Sequence, residues 1–284
     1  MQEAKPSRTA MRVALRRAAH QLFDNPKVLD DPIALPIIGP EAAEELKAAA
    51  REEQGRIPRA IRAFMAVRSR YAEDQLARAI GRATAQYVIL GAGLDTFAYR
   101  NPYAEGALRV FEVDYPATQE WKRRKLAAAA IPIPASVTFA PVDFERQTLA
   151  DGLQQAGFDR EKPAFFSWLG VSMYLTDEAV TATLGFVGST PSGGGIVFDY
   201  AVPRDSLGLM GRMALDAISK RVAAVGEPFR TFFEPKALTE RLKQLGFHSC
   251  EDLGGDELNA RYFSNRADGL RVAGSLGRLM GAEV

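Results

Sequence analysis

Cysteine and histidine are almost missing from this sequence, with one cysteine, Cys250, and two histidines, His20 and His248, in 284 residues. A lone thiol excludes an internal disulfide and a multi-cysteine zinc site, and it fits a reducing cytoplasm. No excess of either charge exists, since 36 Lys and Arg stand against 35 Asp and Glu, so nothing marks the chain for nucleic acid or an anionic membrane. No apolar run approaches the roughly 18 residues that suggest a membrane span. Repeats and low-complexity tracts are also lacking. With 47% hydrophobic and 25% charged residues, what is present has the composition of a soluble globular enzyme with a sizeable core.

Lys5, Arg8, Arg12, Arg16 and Arg17 make the first 20 residues basic, which can imitate a targeting peptide. There is no uninterrupted apolar stretch among them, however. Arg8, Arg12 and Arg16 fall on one helix face opposite Ala10, Ala14 and Ala18, so a mature amphipathic helix is expected.

The texture changes once along the chain. Residues 1–83 read as a helical cap or lid: a helix near 7–22, a loop with Pro32, Pro36 and Pro40, a polar helix near 41–54 and another near 58–80. Residues 84–284 alternate strand and helix, with strands expected at 86–91, 108–114, 137–143, 164–170 and 195–200. Their C-terminal ends are 23 to 30 residues apart, which is what a strand plus a crossover helix requires. The pattern predicts an α/β fold with a parallel, doubly wound sheet. Thr176 should cap one helix, Pro235 should open another that Gly246 stops, and residues 204–226 look like a helical insertion.

The chemistry begins at LGAGLDT, residues 90–96. A buried strand ending in Gly91-Ala92-Gly93 and entering a helix lets the backbone approach a ligand. Asp114 closes the next strand 21 residues after Gly93, where an acid can accept hydrogen bonds from ribose hydroxyls. The third glycine of a dinucleotide fingerprint is replaced by Thr96, and Asp95 would repel a pyrophosphate. Together these favour S-adenosylmethionine over a nicotinamide cofactor.

LGAGLDTFAYR (90–100), FEVDYPATQEWKRRKL (111–126), VDF (142–144), GVSMYLT (170–176), and GEPF followed by a helix and LGF (226–247) resemble the leucine carboxyl methyltransferase family. The texture is nearest to its bacterial branch of S-adenosylmethionine-dependent O-methyltransferases, to which SRTAMRVALRRA and DDPIA (30–34) are also similar. The resemblance implies a Rossmann-like class I methyltransferase with a seven-stranded, mostly parallel sheet, its last strand antiparallel, and an N-terminal helical lid. It matches Gly91, Ala92 and Gly93 to the cofactor turn, Asp114 to the ribose acid, Asp143 and Phe144 to the adenine pair, and Arg68 to an arginine on the cofactor's carboxylate. Where the family carries a glutamate near the ligand's amino group, this chain has Leu169, leaving main-chain carbonyls or water for that role.

Arg68 also stands out by periodicity. Ile61, Phe64, Met65, Ala72, Leu76 and Ala79 form a helical apolar stripe with Arg68 within it, and a guanidinium pointed at a core needs an anion. That anion is either a bound carboxylate or an internal Asp or Glu. Trp168 reads as core packing or as a wall of the ligand site.

For the acceptor side the candidates are Tyr174 and Tyr200 after the fourth and fifth strands, Arg230 in GEPFR, and His20 at the end of the first helix. No clear general base is present. A carboxylate acceptor needs none, with a pKa of about 4, whereas a phenol near 10 benefits from one. The expectation is a cytoplasmic enzyme that O-methylates a carboxyl or hydroxyl group on a small molecule of the secondary-metabolite type, without a metal. A nicotinamide-dependent oxidoreductase and a non-catalytic S-adenosylmethionine-binding scaffold are the alternatives. The acceptor and the oligomeric state are not legible in the sequence.

Overall fold

The structure, a computed structural model, describes residues 8–143, 147–223 and 228–284. The elements run α1 (Arg8–Phe23), α2 (Ala34–Ile38), α3 (Pro40–Ala48), α4 (Ala50–Glu53), α5 (Arg56–Gly81), β1 (Gln86–Leu90), β2 (Arg109–Asp114), α6 (Pro116–Ala128) and β3 (Val137–Pro141). They continue as α7 (Leu149–Gln155), β4 (Ala164–Trp168), α8 (Asp177–Gly188), β5 (Gly195–Ala201), α9 (Leu209–Ala223), α10 (Pro235–Gln244), β6 (Ser249–Leu253), α11 (Gly255–Tyr262) and β7 (Gly277–Glu283). The strands form one seven-stranded sheet in the order β3-β2-β1-β4-β5-β7-β6. β2 and β3, β1 and β4, and β4 and β5 pair in parallel, whereas β7 runs antiparallel to both β5 and β6. Every residue of β1, β4 and β5 is buried, as strands covered on both faces require.

The chain divides into two compact units. The first comprises Met1–Arg70, Gly91–Phe158 and Asn259–Val272. Its core gathers Ala14, Ala18 and Ala19 of α1 with Ala34, Ile37, Ile38, Leu46, Leu94 and Leu126. Of the alanines expected opposite the α1 arginines, Ala14 and Ala18 are buried and Ala10 is half-buried, and Ala19 is buried beside them; their small size lets neighbouring backbone come close. The proline-bearing segment, expected as a loop, contains the short α2. Pro36 lies inside its first turn, where a missing N–H costs nothing.

The second unit comprises Tyr71–Leu90, Asp159–Leu258 and Ala273–Val284. Thr176 caps α8, its hydroxyl accepting from the Ala179 amide at 3.3 Å, with Val180, Leu184 and Val187 buried beneath. Pro235 occupies the first turn of α10, and Gly246 follows it with φ at +100°. The insertion near 204–226 contains a 3-10 turn at Arg204–Ser206 and then α9. Its residues 224–226 lie outside the described residues.

Candidate functional site

The glycine turn lies in the first unit. Gly91 and Gly93 adopt φ of +65° and +43°, the left-handed region where a Cβ would clash with the backbone. Between them Ala92 donates its amide to the Val113 carbonyl at 3.0 Å, which ties the turn to the end of β2. The Gly93 amide donates to Oδ2 of Asp114 at 2.6 Å, and the Tyr115 amide donates to Oδ1 at 2.7 Å. The Thr118 side chain also hydrogen-bonds this carboxylate, which with three donors keeps acceptor capacity for a further hydroxyl. Burial raises the Asp114 pKa, and the two main-chain amides oppose that shift.

The helix expected after the turn does not form. Residues 94–96 are followed only by a 3-10 turn at Phe97–Tyr99. Asp95 is the local reason: its amide donates to the Ala92 carbonyl at 2.7 Å, and its Oδ1 accepts from the Phe97 amide at 2.9 Å. A side chain that takes up the amide a helix would aim outward offers the backbone another course. Without a helix N-terminus the turn lacks the dipole and free amides that hold a pyrophosphate. A cofactor that has no phosphate suits this geometry.

Arginines surround the same turn. Arg17, 4% exposed, donates to the Leu94 carbonyl and, at 3.3 Å, to Oδ2 of Asp95. Burial acts to raise the Asp95 pKa, but Arg17, Lys122, Arg100 and the Phe97 amide bring it below the ordinary 3.8. Behind the turn, fully buried Glu112 of β2 lies 2.8 Å from Lys122 of α6 and accepts from the Tyr99 hydroxyl at 3.0 Å. Gln119 also donates to the Glu112 carbonyl at 2.7 Å. Much of the FEVDYPATQEWKRRKL motif therefore fastens β2 to α6.

Asp143 follows β3 and is half-buried, its carbonyl accepting from the Gln147 amide at 3.0 Å. Phe144, paired with it in the sequence reading, lies outside the described residues. Arg68 is 4% exposed within α5, so the inward-facing guanidinium read from periodicity is buried. The expected stripe is buried at Ala72, Leu76 and Ala79 but differs in its first half. Arg62, Ala63, Ala66 and Val67 are buried, whereas Ile61, Phe64 and Met65 are half-buried. Periodicity missed Arg62 because an arginine does not score as a core residue. It is fully buried and grips Asp24 through two bonds, Nε to Oδ2 at 2.7 Å and Nη2 to Oδ1 at 2.8 Å.

His20 belongs to that network and not to a substrate pocket, which corrects its candidacy. It is fully buried, with Nδ1 2.8 Å from Asp24 and Nε2 accepting from the amides of Val28 and Leu29. Both nitrogens are committed, so neither can take a proton from an acceptor.

In the second unit, Leu169 is half-buried after β4, next to Gly170, whose amide donates to Oδ1 of Asp199 at 2.5 Å. Asp199 is 1% exposed, an acid inside an apolar strand that the sequence reading overlooked. Trp168 is 2% exposed and packs near Phe198, in keeping with a core role. Tyr200 is a second correction. It is fully buried and its hydroxyl donates to Asp252 at 2.9 Å, which Arg278 grips in turn, so it is a packed aromatic with a satisfied tip. Tyr174 is half-buried against Phe229, with ring centroids 5.4 Å apart. Arg230 is exposed, and its amide donates to the Met173 carbonyl at 2.8 Å. Thr231 reaches the Leu175 carbonyl through its hydroxyl, and the Phe233 amide reaches Ala201 at 3.0 Å. Segment 229–233 thus lies over the C-terminal ends of β4 and β5.

Comparison with known proteins agrees with this reading. The family described as Leucine carboxyl methyltransferase matches residues 10–188. The chain is 35% identical over 291 residues to "Putative S-adenosyl-L-methionine-dependent methyltransferase YktD" of Bacillus subtilis (strain 168), covering 95% of each chain. It is also 35% identical over 179 residues to a protein of the same description in Saccharopolyspora erythraea, covering 63% of this chain and 61% of that one. A solved structure described as a putative methyltransferase from Thermobifida fusca shares the fold, with a TM-score of 0.55 at 18% identity over 99% of this chain and 96% of that one. The chain belongs to the leucine carboxyl methyltransferase family and is an S-adenosylmethionine-dependent methyltransferase of Rossmann-like fold.

Proposed function

We propose that the protein transfers the methyl group to a carboxylate on a small molecule. When bound, S-adenosylmethionine supplies an electrophilic methyl group on a sulfonium. The residues that would hold it are Gly91, Ala92 and Gly93 through close backbone approach, Asp114 on the ribose hydroxyls, Asp143 on the adenine amine and Arg68 on the carboxylate. The fit rests on the carboxylate of Asp114, which closes β2 against the Gly93 amide and keeps acceptor capacity beside a turn that lacks a helix. The ammonium would be received by the Gly91 carbonyl or by water. Within the first unit α1 would serve as the cap over the turn, which is supported by Ala10 lying where a side chain on Gly93 would approach to 3.0 Å.

The observation that carries the carboxylate reading is the commitment of His20. Its two nitrogens are engaged inside the first unit, and His248 is exposed beside β6, 3.8 Å from Glu283. Neither histidine is placed as a base. A carboxylate is already ionised at neutral pH and needs only alignment and the exclusion of water. The family's chemistry, carboxyl methylation, supports the same reading.

The test is a panel of small carboxylic acids and phenols incubated with enzyme and methyl-labelled S-adenosylmethionine. Label released as methanol by mild alkali, at a rate flat between about pH 6 and 8, is expected for an ester product. Alkali-stable label, with a rate rising towards the phenol pKa, would move the assignment to hydroxyl methylation. Binding without turnover on the whole panel would favour the non-catalytic scaffold.

A further inference from the structure

We propose that Arg17 and Asp31 are positioning residues for the cofactor turn, so that the N-terminal segment is a working part of the site and not only its cover. This rests on the reading of Gly91–Gly93 as the place where S-adenosylmethionine binds. In dinucleotide folds the helix that follows the glycine turn keeps its backbone in shape. Here that helix is replaced by the 3-10 turn at Phe97–Tyr99, and residues 94–96 keep only turn bonds, Asp95 amide to Ala92 carbonyl, Phe97 amide to Asp95 Oδ1 and Tyr99 amide to Thr96 carbonyl, in place of a helical ladder.

Side chains from the N-terminal segment supply the hold. Arg17 crosses from α1 to the Leu94 carbonyl with Nη2 and to Asp95 with Nη1. Asp31, fully buried, accepts from the Thr96 hydroxyl at 2.7 Å and from the Ile33 amide at 3.2 Å. Its carboxylate also lies 3.7 Å from Nε of Arg17 and 3.4 Å from Nε of Arg100. Three successive residues, Leu94, Asp95 and Thr96, are therefore gripped from outside the turn. On the other flank Asp114 holds Gly93. A loop held on both flanks by charge-assisted bonds is preorganised, and the ligand does not have to order it on binding.

The variants are Arg17→Gln, Arg17→Lys and Asp31→Asn, with Thr96→Val as a milder change should Arg17→Gln fail to fold. Leu242→Ala, a truncation in the core of the second unit, matches them for lost thermal stability. Two quantities are measured well below the melting temperature: the Kd for S-adenosylmethionine and S-adenosylhomocysteine by calorimetry, and hydrogen exchange of amides 92–97 in the ligand-free protein. Arg17→Gln and Asp31→Asn are expected to weaken both ligands at least tenfold and to speed exchange at 92–97 without speeding it in β5 and β7. Arg17→Lys should recover little, because an ammonium cannot reproduce the fork that reaches both a carbonyl and a carboxylate. Thr96→Val should move both quantities in the same direction by less.

Wild-type affinity and exchange in Arg17→Gln, or losses no larger than those of Leu242→Ala, would overturn the proposal alone. Failure of the wild type to bind either ligand, or unchanged binding in Asp114→Ala, would instead overturn the reading of the turn, and the proposal with it.

Discussion

Both units hold the loop after a central strand with a carboxylate on a glycine amide, but they differ in what holds the residues beyond it. In the first, the turn after β1 is fixed by charge: Asp114 on the Gly93 amide, Arg17 on Leu94 and Asp95, and Asp31 on Thr96. In the second, one carboxylate, Asp199, holds the Gly170 amide at the end of β4, and the segment that follows is joined to the strap at 229–233 by main-chain and hydroxyl bonds and by half-buried rings, with Tyr174 against Phe229 and Phe229 against Phe232. Charge-assisted bonds fix direction and cost much to break. Apolar contact is non-directional and tolerates a change of shape. The first arrangement suits one invariant ligand, as a cofactor is.

The comparison can be broken most severely at Arg62. Arg62→Met leaves Asp24 buried without its guanidinium, and loss of one partner of a buried pair is expected to cost about 3 to 5 kcal/mol of stability in denaturant titration at pH 7. The pH dependence gives a further check. Burial acts to raise the Asp24 pKa, but the bonds from Arg62 and His20 hold it below the ordinary 3.8. A depressed folded value contributes stability above the unfolded pKa and loses it as pH falls through the folded one. The gap between wild type and variant should therefore narrow below about pH 4. A gap that persists in acid would show that the loss comes from packing.

Next in size is Arg68. If its guanidinium receives the cofactor's carboxylate, Arg68→Ala should cost about 2 to 4 kcal/mol of S-adenosylmethionine binding, and Arg68→Lys should restore little of it. Decarboxylated S-adenosylmethionine should bind the wild type poorly and be nearly indifferent to the change. Equal losses for the two ligands, with a lower melting temperature in the ligand-free protein, would mean that Arg68 serves an internal pair. The smallest effect belongs to the second unit. Arg230→Ala should leave stability and cofactor affinity as they are and raise KM for an acidic acceptor roughly threefold, as expected of an exposed charge. An equal change for a neutral acceptor would remove Arg230 from substrate recognition.

The contrast between the units also explains what the sequence could reveal. Strands β1 to β5 were legible because apolar runs bounded by turn residues leave few other readings. Thr176 and Pro235 were legible because caps act locally. Gly91, Gly93 and Asp114 stood out because their spacing is set by one strand and its crossover. Arg17, Asp31 and Arg62 did not, because their partners lie far off in the chain, 77 residues away for Arg17 and Leu94 and 65 for Asp31 and Thr96. His20 misled for another reason, since its partners are only 4, 8 and 9 residues on but are brought back by an irregular turn that has no periodicity to read. Its position at the end of α1 suggested an opening, while Asp24 and the amides of Val28 and Leu29 close over it. Tyr200 ends a strand where acceptor residues often sit, but its tip is taken by Asp252 on β6, and two strands separated by β7 cannot be paired from sequence spacing. The missing helix after Gly93 turned on one side chain, Asp95, whose turn-forming bond outweighs the helical reading of LDTFAYR.

The most direct test of the cofactor site is a calorimetric titration of wild type and Asp114→Ala with S-adenosylhomocysteine, alongside thermal unfolding of both proteins without ligand. Hydrogen bonds to a charged group are worth about 1.5 to 3 kcal/mol each, so the variant should remain folded and bind at least tenfold more weakly. A folded Asp114→Ala protein with wild-type affinity would contradict the placement of the cofactor on this turn.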